Sequence, residues 1–561
     1  MTTLDWVAIT FYFLLIGWVA WWYGRHQKDT TDYFLAGRNA GWFTIGASIF
    51  TSNIGSEHIV GLAGQGATTG MTMAHWELHA WVLIMLAGVF VPFYYKSGVT
   101  TIPEFLEKRF NARTRWILSC VSLVAYVFTK VSVTVYAGAV VFQALLPDTF
   151  GTPENAFWVG AFSTVVLTGI YTVFGGMRAI IMTAAPQAVI ILVGSFIITA
   201  IGLTKLGGWG ELVTMAHQNS DAFSLWRPLS DPSFPWLGVI IASPIVGIWY
   251  WCTDQYIVQR ALSAKDLTTA RRGALFGGVL KVWPVLIFVI PGMIGWALHQ
   301  KGLLLLPTKM VDGSEVINTD LVFATMVREL LPTGIRGLIV ACLLAALMSS
   351  LASLFNSSAS LFTVDVYEKL RPGKSEKHLL NVGRIATAVV VVLGILWIPV
   401  MQKVQGGGLY QYLQNVQGYL APSITAVFLL GLFWKRINAA GAVWGLGGGF
   451  VLGMIKLTLQ TLFGAAEGQI HSPAILAAIG DFNPYYATGV LALASAVIIV
   501  VASLTTAPPE EAQVRGLTYA SIRQESGEEI KASWDTGNKI MAYVILACVL
   551  AMYVYFSFWL G

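Results

Sequence analysis

Charge is scarce in this chain of 561 residues. Asp, Glu, Lys and Arg together make up 11% of it, against roughly 25% in a soluble domain. So thin a supply of charge, beside 56% hydrophobic residues, excludes an ordinary cytosolic enzyme and a disordered chain. Cysteine is rare too. Cys120, Cys252, Cys342 and Cys548 lie far apart in apolar runs, where they act as small hydrophobes rather than as a disulfide framework or metal site. The net charge of +5 has no basic run behind it, so a nucleic-acid surface is excluded as well.

What is abundant is long apolar sequence. A helix needs roughly 20 apolar residues to cross a bilayer, and that window predicts about 14 spans. They fall near 5–24, 43–67, 73–95, 116–145, 156–175, 179–204, 235–258, 273–298, 336–363, 380–402, 408–433, 439–463, 486–505 and 539–560. The first apolar run is followed by Arg25 and Lys28 rather than preceded by them, the reverse of a secretory signal. The expected class is an all-α polytopic membrane protein.

Basic residues orient it. Twenty-four of the 34 Lys and Arg fall in loops after odd-numbered spans, and seven (Lys205, Arg227, Lys301, Lys309, Arg328, Arg336 and Lys403) on the other side. Lys130, Lys281 and Lys456 lie inside spans. Cytoplasmic loops collect Lys and Arg, so both termini are expected outside. Short helices are expected over the outer mouth in 205–235 and 299–335. The inner stretch 507–538 reads as a polar linker.

Several spans carry groups that lipid does not tolerate. The second holds Thr51-Ser52-Asn53-Ile54-Gly55-Ser56-Glu57-His58. Ionisable residues at that depth mark function, and a broken helix survives there only where it lines a cavity. Ser, Thr and Asn also serve as plain helix–helix contacts, the blander reading. Further polar groups are His75-Trp76-Glu77-Leu78-His79, the run Trp249 to Gln255, Lys281, and Tyr410-Gln411-Tyr412-Leu413-Gln414. Charged and amide groups bond the hydroxyls of a polyol, while an indole covers its C–H face. His75 and His79, one turn apart, are a weak metal pattern. In span nine, Ser349 and Ser350 either bond back to the preceding turn or join carbonyls around a hard cation.

These residues sit in blocks that resemble the sodium/solute symporter family, in its sodium/glucose cotransporter branch. The blocks are DYFLAGRNAGWFTIGASIFTSNIGSEHIVGLAG, TIPEFLEKRF, YTVFGGMRA, WYWCTDQYIVQRALSAK, LMSSLASLFNSSASLFTVDVY and VFLLGLFWKRINAAGAVWGL. The resemblance implies a LeuT-type core with inverted repeats at 43–204 and 235–433. It implies a sodium site made by the carbonyls of Thr51, Ile54 and Ala346 and the hydroxyls of Ser349 and Ser350. It implies a sugar site of Asn53, His58, Glu77, Lys281 and Gln414, with Trp251 against the ring. Tyr250 resembles the inner gate, and Trp76 and Tyr410 the outer aromatics.

Two departures stand out. Gly247 replaces a residue that is often polar in the family. Ala184, in MTAAPQAVI, replaces a customary aspartate, a carboxylate associated with a second cation site. The expected function is therefore sodium-coupled import of a hexose such as glucose or galactose across the plasma membrane, with one sodium per sugar. The alternatives are a sodium/myo-inositol-type polyol symporter and a non-transporting solute sensor. An intramembrane enzyme built on Ser56 and His58 lacks a third partner.

Overall fold

The structure, a computed structural model, describes residues 1–25, 29–55, 57–147, 149–311, 314–404, 409–465 and 469–560. Nearly all of it is helix. Among the described residues, eleven helices are long and apolar enough to cross a membrane, so the expected count of fourteen is not reached on that criterion. The other three expected spans are helical as well, but each departs from a plain apolar rod. The second is interrupted, the fourth carries Lys130 at its centre, and the fifth joins the sixth in one run, Pro153–Leu206, that kinks at Gly176 (φ 54°).

The interruption has a local cause. Trp42–Asn53 is helical and ends at Ile54 (φ −72°, ψ 84°). The Gly55 N–H turns back to the Asn53 carbonyl at 2.8 Å, and the His58 N–H reaches the Gly55 carbonyl at 3.2 Å. Thr51 and Ile54 thereby lose the donors four residues ahead that a continuous helix would give their carbonyls. A wide π-helical stretch, Glu57–Leu62, restarts the chain and passes into Ala63–Thr69. Similar wide turns occur at Tyr126–Val131, Trp249–Thr253 and Leu361–Tyr367. Such turns gather at functional sites.

Close packing brings a second helix to the break. Leu267–Lys281 lies along Trp42–Asn53. A Cβ on Gly46 would come within 2.9 Å of the Gly273 carbonyl oxygen and the Gly277 nitrogen. The glycines thus let the backbones approach closely, as small residues do between membrane helices. Ile335–Ser360 packs on Pro153–Leu206 and carries the paired serines.

Outside the helical body, 205–235 holds short helices, as expected, at Trp209–His217 and Ser220–Phe223. The 299–335 stretch holds the helix Val322–Leu330 and also two antiparallel strands, Thr308–Val311 and Ser314–Ile317. The polar 507–538 stretch folds into the helices Glu511–Val514 and Tyr519–Ala532. These lie against the body through Arg271, whose Nη1 donates to the Ile530 carbonyl at 2.7 Å, and through Lys96–Glu529 and Arg272–Asp535 ion pairs. No disulfide links the cysteines; Cys252 and Cys342 are buried and all four are free.

Candidate functional site

A cavity of about 40 Å³ lies beside the helix break. Asn53, His58, Glu77, Trp251, Lys281 and Gln414 all line it, together with Trp76 and Tyr250. They come from six elements, with Gln414 on the helix Leu409–Phe433. Asn53 is the last residue before the break and His58 sits on the wide turn after it. Glu77 ends the short helix Ala74–Glu77, Lys281 ends Leu267–Lys281, and Trp251 rides on Trp249–Thr253. The cavity has room for roughly three waters, so a larger ligand requires the lining to draw apart.

Glu77, Lys281 and His58 form a buried triad in its lining. Lys281 Nζ lies 2.5 Å from Glu77 Oε2, His58 Nε2 lies 3.1 Å from the same oxygen, and Lys281 Nζ is 3.4 Å from His58 Nε2. All three residues are no more than 3% exposed. Buried charges persist only when paired, and here each partner supplies the other's compensation. Lys281 also faces the Trp251 ring, 5.5 Å from its centre.

Around the triad are polar atoms with no protein partner among the described residues. They are Asn53 Oδ1, His58 Nδ1, His79 Nε2 and Gln414 Oε1, each on a residue that lines the cavity. Asn53 keeps its orientation because its Nδ2 donates to the Tyr250 hydroxyl at 3.3 Å. Nearly all buried polar groups in proteins are hydrogen-bonded. Four that are not, on one cavity, form a ready set of hydrogen-bonding groups for a hydroxyl-bearing ligand, two amide oxygens that accept and two imidazole nitrogens that accept or donate.

Of the expected cation ligands, Ser350 reaches the backbone just before the break. Ser350 Oγ donates to the Ser52 carbonyl at 3.0 Å, and Ser52 Oγ meets Ser353 Oγ at 3.0 Å. Ser349 Oγ has no partner among the described residues. Thr51, Ser349 and Ala346 are fully buried, as is Ile54. Ser52, which Ser350 meets, is the residue next to Asn53 in the cavity lining.

The aromatic residues divide. Tyr250 stacks edge-on to Trp251 at 4.9 Å between ring centres. Trp76 packs on Tyr485 at 5.2 Å, a partner the sequence did not reveal. The side chain of Tyr410 lies outside the described residues, as does Ser56. His75 and His79 part company: His75 bonds the Leu225 carbonyl and the Tyr553 hydroxyl, while His79 lines the cavity. No metal-binding cluster of His, Cys, Asp and Glu occurs among the described residues. Gly247 explains the position of His79. A Cβ at 247 would stand 3.0 Å from His79 Nδ1, so the imidazole occupies space that a larger residue would take.

Sequence reasoning missed a second buried pair beside the site. Lys130 pairs with Asp254, which also accepts from the Tyr126 hydroxyl. The ring centres of Trp249, Tyr250 and Tyr256 lie 4.8, 4.8 and 4.9 Å from the ammonium. The Tyr256 hydroxyl in turn donates to the Ser52 carbonyl. An ionisable residue at the middle of a span was the available signal, but nothing in the sequence joined Lys130 to Asp254.

The fold and the cavity together define a polytopic membrane protein of LeuT type, with its polar site built where a helix breaks. Comparison with known proteins makes this specific. The chain belongs to the sodium:solute symporter family, whose model matches residues 33–449. It is 39% identical to sodium/glucose cotransporter 4 of Danio rerio over 558 residues, covering 94% of this chain and 83% of the relative. It is 37% identical to the sodium/myo-inositol cotransporter of Canis lupus familiaris, covering 98% and 80% of the two chains, and 37% identical to sodium/glucose cotransporter 1 of Oryctolagus cuniculus, covering 93% and 82%. Among solved structures, the fold matches an outward-open, substrate-bound sodium-coupled sialic acid symporter. The TM-score is 0.75 at 21% identity, over 90% of this chain and 99% of that one. The protein is a sodium-coupled solute symporter and not an enzyme.

Proposed function

We propose that this symporter imports a hexose such as glucose or galactose, one sodium per sugar, by alternating access across the plasma membrane with its basic face inside and both termini outside. The observation that carries this reading is the cavity itself. A buried triad, an indole wall and four polar atoms without a protein partner among the described residues surround one space. Hydroxyls of the sugar would complete those polar groups, and Trp251 would cover its apolar face. Relatives at similar identity are named for glucose and for myo-inositol, which keeps the cyclic polyol as the competing substrate.

In this mechanism sodium sits between the break and span nine, on the carbonyls of Thr51, Ile54 and Ala346 and the hydroxyls of Ser349 and Ser350. The ion fixes the end of Trp42–Asn53 and so positions Asn53, with Ser52 between. Sugar then binds to a site already partly ordered, which is positive coupling. Trp76 and Tyr410 close the outer side, the bundle formed within the repeats 43–204 and 235–433 rocks, and Tyr250 releases the inner side. Ala184, fully buried, offers no carboxylate for a second cation.

Uptake of labelled glucose, galactose, mannose and myo-inositol into proteoliposomes tests the proposal. Sodium-driven accumulation of a hexose is expected, lost when choline replaces sodium. Accumulation of myo-inositol alone would transfer the assignment to the polyol. Equal uptake in choline would overturn the coupling.

A further inference from the structure

The helix Tyr519–Ala532 and Trp534 roof a cleft of about 520 Å³ whose opposite wall is formed by the chain around Gly88–Phe93 and by Arg271. The cleft shares no lining residue with the cavity or with the proposed cation ligands. Arg271, Arg523 and Lys531 line it, against the single carboxylate of Glu528. Neighbouring acids are already held: Glu525 by Arg515, Glu529 by Lys96 and Asp535 by Arg272. None of the three lining cations has an acidic partner among the described residues.

Arg271 is the unusual member. It is 1% exposed, yet its Nε has no acceptor among the described residues. One of its terminal nitrogens donates to the Ile530 carbonyl, and its guanidinium stands 5.3 Å from the centre of the Trp534 ring. A buried cation without an anion is destabilising. The buried Arg115, by contrast, pairs with both Glu107 and Asp365. Arg271 is thus an anchor oriented by a carbonyl and an indole, with hydrogen-bonding capacity left over.

We propose that this cleft binds a phosphate-bearing anion, with Arg271 in its wall, the exposed Arg523 and Lys531 on the helix that roofs it and Trp534 beside them. A guanidinium offers a planar fork of donors that matches phosphate oxygens, and the two outer cations add charge. The cleft opens on the face that carries most basic loops, where the anion is either the headgroup of an acidic phospholipid or a soluble phosphate. Its occupant bridges the 519–532 helix to Leu267–Lys281, the helix that ends at Lys281 in the cavity.

The test uses the full chain in phosphatidylcholine nanodiscs, with thermal unfolding as the readout. The probes are millimolar inorganic phosphate, glycerol 3-phosphate, sodium chloride at matched ionic strength, and nanodiscs doped with phosphatidylglycerol. The midpoint is expected to rise by roughly 3 °C or more with at least one phosphate-bearing probe and not with chloride. Arg523 and Lys531 are both exposed, so the double variant R523Q/K531Q keeps its fold; it is expected to lose more than half of that rise. A response to phosphatidylglycerol alone assigns a lipid headgroup, and a response to soluble phosphate assigns a free ligand. No rise with any phosphate-bearing probe, an equal rise with chloride, or a rise that R523Q/K531Q retains would overturn the proposal.

Discussion

Neither Glu77 nor Lys281 is stable alone at membrane depth, and their contact makes each depend on the other. Removing one charge of a buried pair costs about 3–5 kcal/mol, because its partner is stranded. Glu77→Gln is therefore expected to lower the unfolding midpoint and abolish uptake. The double change E77Q/K281M should restore most of the midpoint but none of the transport. Gln414 differs, since its Oε1 bonds nothing else in the described protein. Gln414→Ala is expected to raise the sugar KM about tenfold, a loss of about 1.4 kcal/mol, with little change in sodium half-saturation. Ser350→Ala, which deletes the hydroxyl that meets the Ser52 carbonyl, should do the reverse. Uptake measured as a function of each substrate separates the two.

The broken helix is the element on which the site depends, and its second half packs backbone to backbone against its neighbour. A Cβ on Gly292 would fall 1.9 Å from the Ala63 carbonyl oxygen, and one on Gly66 would fall 2.4 Å from the Val289 carbonyl oxygen. Here Ala63–Thr69 lies too close to Ile290–Gln300 and the turn before it to admit a side chain at Gly66 or Gly292. Gly292→Ala must push them apart, and overpacking of this kind costs about 1–3 kcal/mol. A lower unfolding midpoint and a weaker sugar response are expected together, because Ala63 immediately follows the turn that carries His58. An unchanged midpoint would show that this contact does not hold the break in place.

For the whole molecule, the test is energetic. An inward motive force of 100 mV supplies about 2.3 kcal/mol per sodium. That supports ~50-fold sugar accumulation at one sodium per sugar and ~2,500-fold at two. With Ala184 in place of a carboxylate, the lower limit is expected, and reversal-potential measurements on proteoliposomes distinguish the two ratios. Ala184→Asp provides the matching gain-of-charge comparison.

Sequence alone determined that this chain lives in a membrane, where most of its spans fall, and which polar residues inside them matter. Hydropathy is a local sum over about 20 residues, and an ionisable group in such a window is conspicuous wherever the window lies. The family blocks then joined Asn53, His58, Glu77, Trp251, Lys281 and Gln414 into a single expected site. Only the tertiary structure decided who touches whom. Glu77 and Lys281 are 204 residues apart, and Lys130 and Asp254 are 124 apart; no local pattern encodes either meeting. The same limit applies to His79 filling the space beside Gly247, to Trp76 resting on Tyr485, and to the 507–538 stretch closing over Arg271. Those outcomes depend on how helices distant in sequence pack, which composition and periodicity do not specify.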